Sequence, residues 1–577
     1  MNKSILKYCL PAAILWFAAP ATAAQNPPGI EPSSLSGSYL AARYASKLRD
    51  LDLAAEYFAE ALRDDPNNSV LIERTFVLAF SAGDISKAQD LAVAVLAIDP
   101  KHRLARIVLG LKEFNAGHYS AARENFKQIN DTPLDDLTSN LLIAWTAAGQ
   151  KNPKAAMAAL DKLGKNDYFL IFRDFHGALI ADLLGQPTRA EAFYKKAYEK
   201  AATSNRVIQA YGNFLERNGK KDEARKIYQQ FLATTSDQPV IAAILADLEK
   251  GKAPKRFIPD AGNGIAETMF SIAGWLNDEQ TIDTALAYAQ LALLMKKNFP
   301  AGQLLLGDIF EATGRYDKAI EAYDQIPKDH VLHEKAAIEI AVNLHQLERP
   351  EEALEKISTL LAADPRNYDA WITKADFLRD AKRFAEAAEA YTKAIALVSV
   401  PDRTHAALFY FRGIAYERSQ QWEKAEADFR KSLALSPEQA SVLNYLGYSM
   451  IEKRINLAEA MDMIRKAVEL KPNDGYIVDS LGWAHFHMGE YEEAVKHLER
   501  AVELRPEDPI INDHLGDGYW RAGRKLEAKF QWQHAKDSKP EPADLLRIEK
   551  KLKEGLADTA PASAPATTQS DATKTVN

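Results

Sequence analysis

Apolar residues recur along this chain at steps of three and four, the spacing that keeps them on one face of a helix. The stretch "DSLGWAHFHMGEYEEAVKHLERAVELRP", Asp479 to Pro506, shows the unit. After Leu481-Gly482 come Ala494, Leu498, Ala501 and Pro506, at offsets 0, 4, 7 and 12. The same spacing returns at Ala54, Phe58, Ala61, Pro66; at Ala88, Ala92, Val95, Pro100; and at Ala353, Ile357, Leu360, Pro365. It also returns at Ala425, Phe429, Ser432, Pro437; at Ala460, Ile464, Ala467, Pro472; and at Ala528, Trp532, Ala535, Pro540. Each copy predicts two antiparallel helices. Small residues on the second helix let the first approach, the bulky residue between them fills the gap, and proline opens the next unit. Asn218-Gly219, Thr313-Gly314 and Ala522-Gly523 supply the tight turns.

This pattern resembles the tetratricopeptide repeat (TPR), a helix–turn–helix of 34 residues. First helices are expected near 35, 69, 103, 137, 171 and 205, then near 266, 300, 334, 368, 406, 441, 475 and 509. The fold the resemblance implies is all-α: a right-handed superhelical solenoid of about 14 helix pairs in two arrays. The arrays cover 35–249 and 266–540. Between them "QPVIAAILADLEK" reads as one helix, and 250–265, rich in Gly, Pro and basic residues, as a linker or hinge. "VSVPDRT" reads as an inserted turn, and one extra residue falls near "EKRINL". Residues 541–556 read as a capping helix, and 557–577 lack the apolar content for a core and are expected to be disordered.

At the N-terminus, Lys3 and Lys7 precede the apolar run "YCLPAAILWFAA" and the small residues Ala21–Ala23. Residues 1–23 are therefore expected to be a cleavable secretory signal, followed by an extended leader over 24–34. The run is too short for an ordinary membrane-spanning helix, which needs roughly 20 apolar residues. The single cysteine, Cys9, lies inside it, so the mature chain is expected to have no disulfide, no thiol chemistry and no lipid-anchoring cysteine. The formal net charge of −8 speaks against a nucleic-acid partner, which would want a basic surface. No cofactor or metal is expected. His485 and His487, two residues apart on a helix, point roughly 200° apart and cannot share an ion. No phosphate loop, nucleophile elbow or zinc motif is present, and most carboxylates sit at helical spacing beside lysine or arginine. The chain is therefore read as non-enzymatic.

In the repeat fold the first helices line a concave groove, with positions 2, 5, 9, 12 and 13 facing it. In the N-terminal array this places Val77, Phe80, Ile107, Leu111, Phe114, Leu141, Trp145, Phe175 and Leu179 on the wall. That set is unusually apolar. It suits an apolar or amphipathic partner segment, or else tight winding of the array on itself. In the C-terminal array the set is Asn444, Tyr448, Tyr476, Asp479, Trp483, Phe486, Asp513, Asp517, Trp520 and Arg521. Aromatics among carboxylates suit a protein partner with basic and apolar features.

The stretch from Leu443 to Ala535, with its "LGY", "DSLGW" and "HLGD" segments, is similar to the end of a bacterial envelope tetratricopeptide family. Some members bind a periplasmic carboxy-terminal processing protease and present substrates to it. The resemblance implies a periplasmic scaffold or adaptor whose partners are such a protease or other envelope enzymes. A structural component of envelope polysaccharide synthesis or export is the alternative.

Overall fold

The computed structural model describes residues 34–556 apart from 49, 236–237 and 277–279. The expected signal, most of the leader and the expected disordered tail lie outside the described residues. Among those described, regular structure is helical: thirty α-helices, α1 (Leu35–Lys47) to α30 (Pro542–Glu554), with three short 3-10 turns. Consecutive helices pack in pairs, six before the lone α13 (Pro239–Glu249), then eight more before α30. The expected all-α solenoid of helix pairs is present.

The 34-residue period is visible in the backbone. Among the described residues, the turn within a pair places a residue in the left-handed region. From the second pair to the sixth it falls at Gly83, Gly117, Lys151, Gly185 and Gly219, each 34 residues after the last. Later pairs place it at Gly314, Glu348 and Lys382, then at Gln420 after the inserted turn. One pair departs. Between α24 (Ala440–Lys453) and α25 (Leu457–Leu470), both Arg454 and Asn456 are left-handed, which absorbs the extra residue near "EKRINL".

In several pairs the core is a knob under a glycine. A β-carbon at Gly110, Gly212, Gly307, Gly413 or Gly516 would fall 2.2–2.7 Å from Phe126, Tyr228, Tyr323, Phe429 or Trp532 respectively. Each knob lies sixteen residues after its glycine; across the α24–α25 turn, Gly447 meets Ile464, one residue later. The alanines that flank the knob, such as Ala494 and Ala501, are fully buried, so the two helix axes can approach.

The described residues form two compact units, which divide between Leu360 and Leu361. The 250–265 segment therefore lies inside the first unit, and α14 begins at Ala261, earlier than the pattern implied. Within this unit α14 (Ala261–Trp275) packs against α7 (Pro133–Gly149) and α9 (Leu170–Leu183), while α15 (Ile282–Met295) packs against α3 (Ser69–Ser81). The winding brings helices more than a hundred residues apart into one core.

Candidate functional site

The first unit bears on the two readings of its apolar wall. Phe80, Ile107, Leu111, Phe114, Leu141, Trp145, Phe175 and Leu179 are all buried, and of the apolar set only Val77 keeps substantial exposure, at 40%. Most of this wall packs under the chain's own helices, while Val77 and Phe80 border a cleft. Gly264 of α14 lies on Trp145: a β-carbon there would sit 2.2 Å from the indole. Thr138 and Tyr288 share a hydrogen bond of 2.8 Å, and Trp275 stands edge-on to Phe169 and Phe172. The buried carboxylate of Glu267 is gripped by both ends of the Arg206 guanidinium, and Arg315 donates to the Ser81 carbonyl at 2.9 Å. Apolar side chains on a concave wall report self-occupation here, since leaving them wet would forfeit their burial.

Beneath this contact Trp145 Nε1 donates to His176 Nδ1 at 3.2 Å. Burial pushes the His176 pKa down to about 4, against the smaller upward pull of Glu267. The unfolded chain therefore takes up a proton near pH 6.5, which the native chain refuses until near pH 4. His176 supports the fold fully above pH 6.5, and that support is lost as pH falls towards 4. The cost reaches about 2–3 kcal/mol at pH 4.5. The opening free energy of α7 and α9, taken from hydrogen exchange relative to the intrinsic rate at each pH, is expected to fall between pH 7 and 4.5, and His176→Asn is expected to flatten that dependence.

In the second unit the sequence-derived set divides. Asp513 and Asp517, on α28 (Pro509–Arg521), are buried and face Lys551 of α30. Lys551 Nζ lies 2.8 Å from both Asp513 oxygens and 2.7 Å from Asp517 Oδ2. Arg547 adds a bond of 3.1 Å to Asp513, and Trp532 Nε1 donates to Asp517 at 2.9 Å. Trp520 packs on Trp532 and meets Gly555 just past α30. These three groove candidates thus pack against α30, the last described helix, which stands where another repeat's first helix would pack. Arg521 is half-buried, and Tyr476 lies under the Arg505 guanidinium, 5.0 Å from its ring centre.

The remaining candidates converge. On α26 (Gly475–His487), Trp483 is stacked between Phe486, ring centres 4.7 Å apart, and His514, 3.9 Å apart. His514 Nδ1 lies 3.0 Å from Asp479 Oδ2, and both residues are buried. Burial pushes the His514 pKa down, but Asp479, with Asp513 and Asp517 behind it, outweighs burial and holds it above the ordinary value. Trp483 Nε1 donates to Glu452 Oε1 at 2.7 Å. Hydrogen bonding from His487 and Trp483 lowers the Glu452 pKa to about 2 despite desolvation, so the carboxylate stays charged. Beside it Tyr448 is mostly buried, which raises its pKa, and the buried Oδ1 of Asn444 has no hydrogen-bond partner. Glu452, His487 and His514 were missing from the sequence-derived set. Glu452 and His487 hold repeat position 13, so the position map contained the signal; His514 faces Trp483 from the neighbouring repeat.

His485 Nδ1 lies 2.5 Å from Glu490, and His487 Nε2 lies 3.4 Å from Glu452. Different partners hold the two rings apart. Asp479, Asp513 and Asp517 each have a cationic or imidazole partner, so these three offer no unpaired carboxylates for acid–base chemistry.

Family models described as tetratricopeptide repeat match residues 280–329, 339–400, 406–439 and 480–508. The chain carries tetratricopeptide repeats. A TPR repeat-containing protein of Pseudomonas aeruginosa is 34% identical over 87 residues, 15% of each chain. Human tetratricopeptide repeat protein 13 is 25% identical over 223 residues, 36% of this chain and 25% of that one. A lipoprotein NlpI homolog of Haemophilus influenzae is 33% identical over 90 residues, 15% of this chain and 28% of that one. The chain thus spans 15–28% of the length of these relatives. Among solved structures, the APC/C Cut9–Hcn1 hetero-tetramer is 16% identical with a TM-score of 0.37, covering 91% of this chain and 97% of that one. Yeast Tom70 is 15% identical with a TM-score of 0.33, covering 90% and 95%. Repeats of this kind bind protein partners. No described helix is long and apolar enough to cross a membrane.

Proposed function

We propose that this TPR protein is a non-catalytic periplasmic scaffold that holds a protein partner on the first helices of its second unit. The observation that carries the reading is the pre-ordered cluster of Tyr448, Glu452, Trp483 and Phe486 beside the unpartnered Asn444 Oδ1. Rigid aromatics with fixed polar neighbours lose little entropy on binding, which is why such groups dominate interface energies. The charged Glu452 favours a basic side chain. The periplasm is favoured by the basic and apolar start of the chain and by the absence of cysteine after Cys9. A processing protease or another envelope enzyme is the partner favoured by the "LGY", "DSLGW" and "HLGD" segments.

Crosslinking and affinity capture from a periplasmic fraction test this. Tyr448→Ala with Trp483→Ala is expected to reduce capture of the partner at least tenfold, while circular dichroism stays native. Capture that is undiminished in the folded double variant would remove the assignment of this surface. Recovery of no protease or envelope enzyme would remove the partner class.

A further inference from the structure

The self-occupied core of the first unit leaves one part of its concave side unfilled. A cleft of about 630 Å³ remains between its first repeats and α15, a size typical of small-ligand sites. Phe58, Val77, Leu104 and Leu286 give it an apolar wall, and Arg43, Arg74 and Asp283 bring charge to it. Both arginines are exposed, and among the described residues neither is paired with a carboxylate. Two arginines against one aspartate leave the lining with one net positive charge.

We propose that this cleft binds a long-chain acyl carboxylate, with the chain along the apolar wall and the carboxylate on Arg43 and Arg74. The net charge of the lining matches a monoanion. Guanidinium groups take carboxylates in a planar two-bond geometry, and here they can do so while still partly in water. A peptide fits less well. The walls are helix faces whose backbone groups are bonded within the helices, and the Ser46 hydroxyl already donates to the Ala42 carbonyl. An extended peptide would bury amides without partners, whereas an acyl chain has none to satisfy.

The test is equilibrium binding of palmitate to the full chain below the micelle concentration. Hexadecanol and an apolar peptide with a free C-terminus serve as comparison ligands. One palmitate is expected per chain. Arg43→Gln and Arg74→Gln are each expected to weaken palmitate about tenfold and to leave hexadecanol unchanged. Val77→Trp, at an exposed position, is expected to abolish binding of both, and its melting curve checks that the fold is intact. The proposal is overturned by the absence of saturable palmitate binding. It is also overturned by binding that the three variants leave unchanged, or by peptide binding that palmitate does not displace.

Discussion

Gly264→Ala is expected to destabilise the first unit by about 3 kcal/mol, whereas Gly274→Ala, on the same helix, is expected to stabilise it by up to about 1 kcal/mol. The contrast isolates the contact from helix propensity. At Gly264 a β-carbon meets Trp145 at 2.2 Å; at Gly274 nothing lies within 4 Å. The indole cannot retreat, because it is fully buried and tied through Nε1 to His176. The added methyl must therefore push α14 off α7, exposing the apolar wall that it covers. Urea unfolding followed by tryptophan fluorescence gives the sign of each change, and hydrogen exchange localises it. Equal effects from the two substitutions would show that α14 is not seated on Trp145.

Lys551→Met is expected to cost the second unit about 3–5 kcal/mol, because it strands Asp513 and Asp517 in the protein interior. Arg547 reaches only one of the two, from a half-exposed position. Lys551→Met combined with Asp513→Asn and Asp517→Asn is expected to recover much of the loss, since a buried ion cluster owes its apparent strength to the penalty for breaking it. Exchange protection in α28 and α29 (Lys525–Asp537) reads the effect directly. A triple variant no more stable than Lys551→Met alone would mean that charge burial is not the source of the loss.

The helix pairs were legible in the sequence because their determinants are local. Gly516 and Trp532 lie sixteen residues apart and meet within one pair, so the motif that predicts the pair also contains the contact. The left-handed turn residues repeat for the same reason. Self-occupation of the first unit was not legible in that way. Trp145 meets Gly264 only after the winding of several repeats has accumulated, and no local spacing encodes it. Its trace was the apolar character of Phe114, Leu141 and Phe175 at positions expected to face water, a trace equally compatible with a partner. In the second unit Trp483 and Phe486 were legible from repeat position. Their fixing by Glu452 and His514 depends on side chains from the repeats on either side. The Lys551 contact was hidden because α30 reads as a polar helix, and its one buried lysine looks like any surface lysine.

The contacts that close the first unit bear on how this gene can change length. Solenoids commonly grow or shrink by copying or losing whole repeats, since each unit touches only its neighbours. Here Thr138 bonds Tyr288 and Ser81 bonds Arg315. A repeat duplicated between α9 and α13 would carry every one of those partners past its mate by one unit. The number of repeats between α3 and α14 is therefore expected to be constrained, and lineage variation in length should fall elsewhere in the chain.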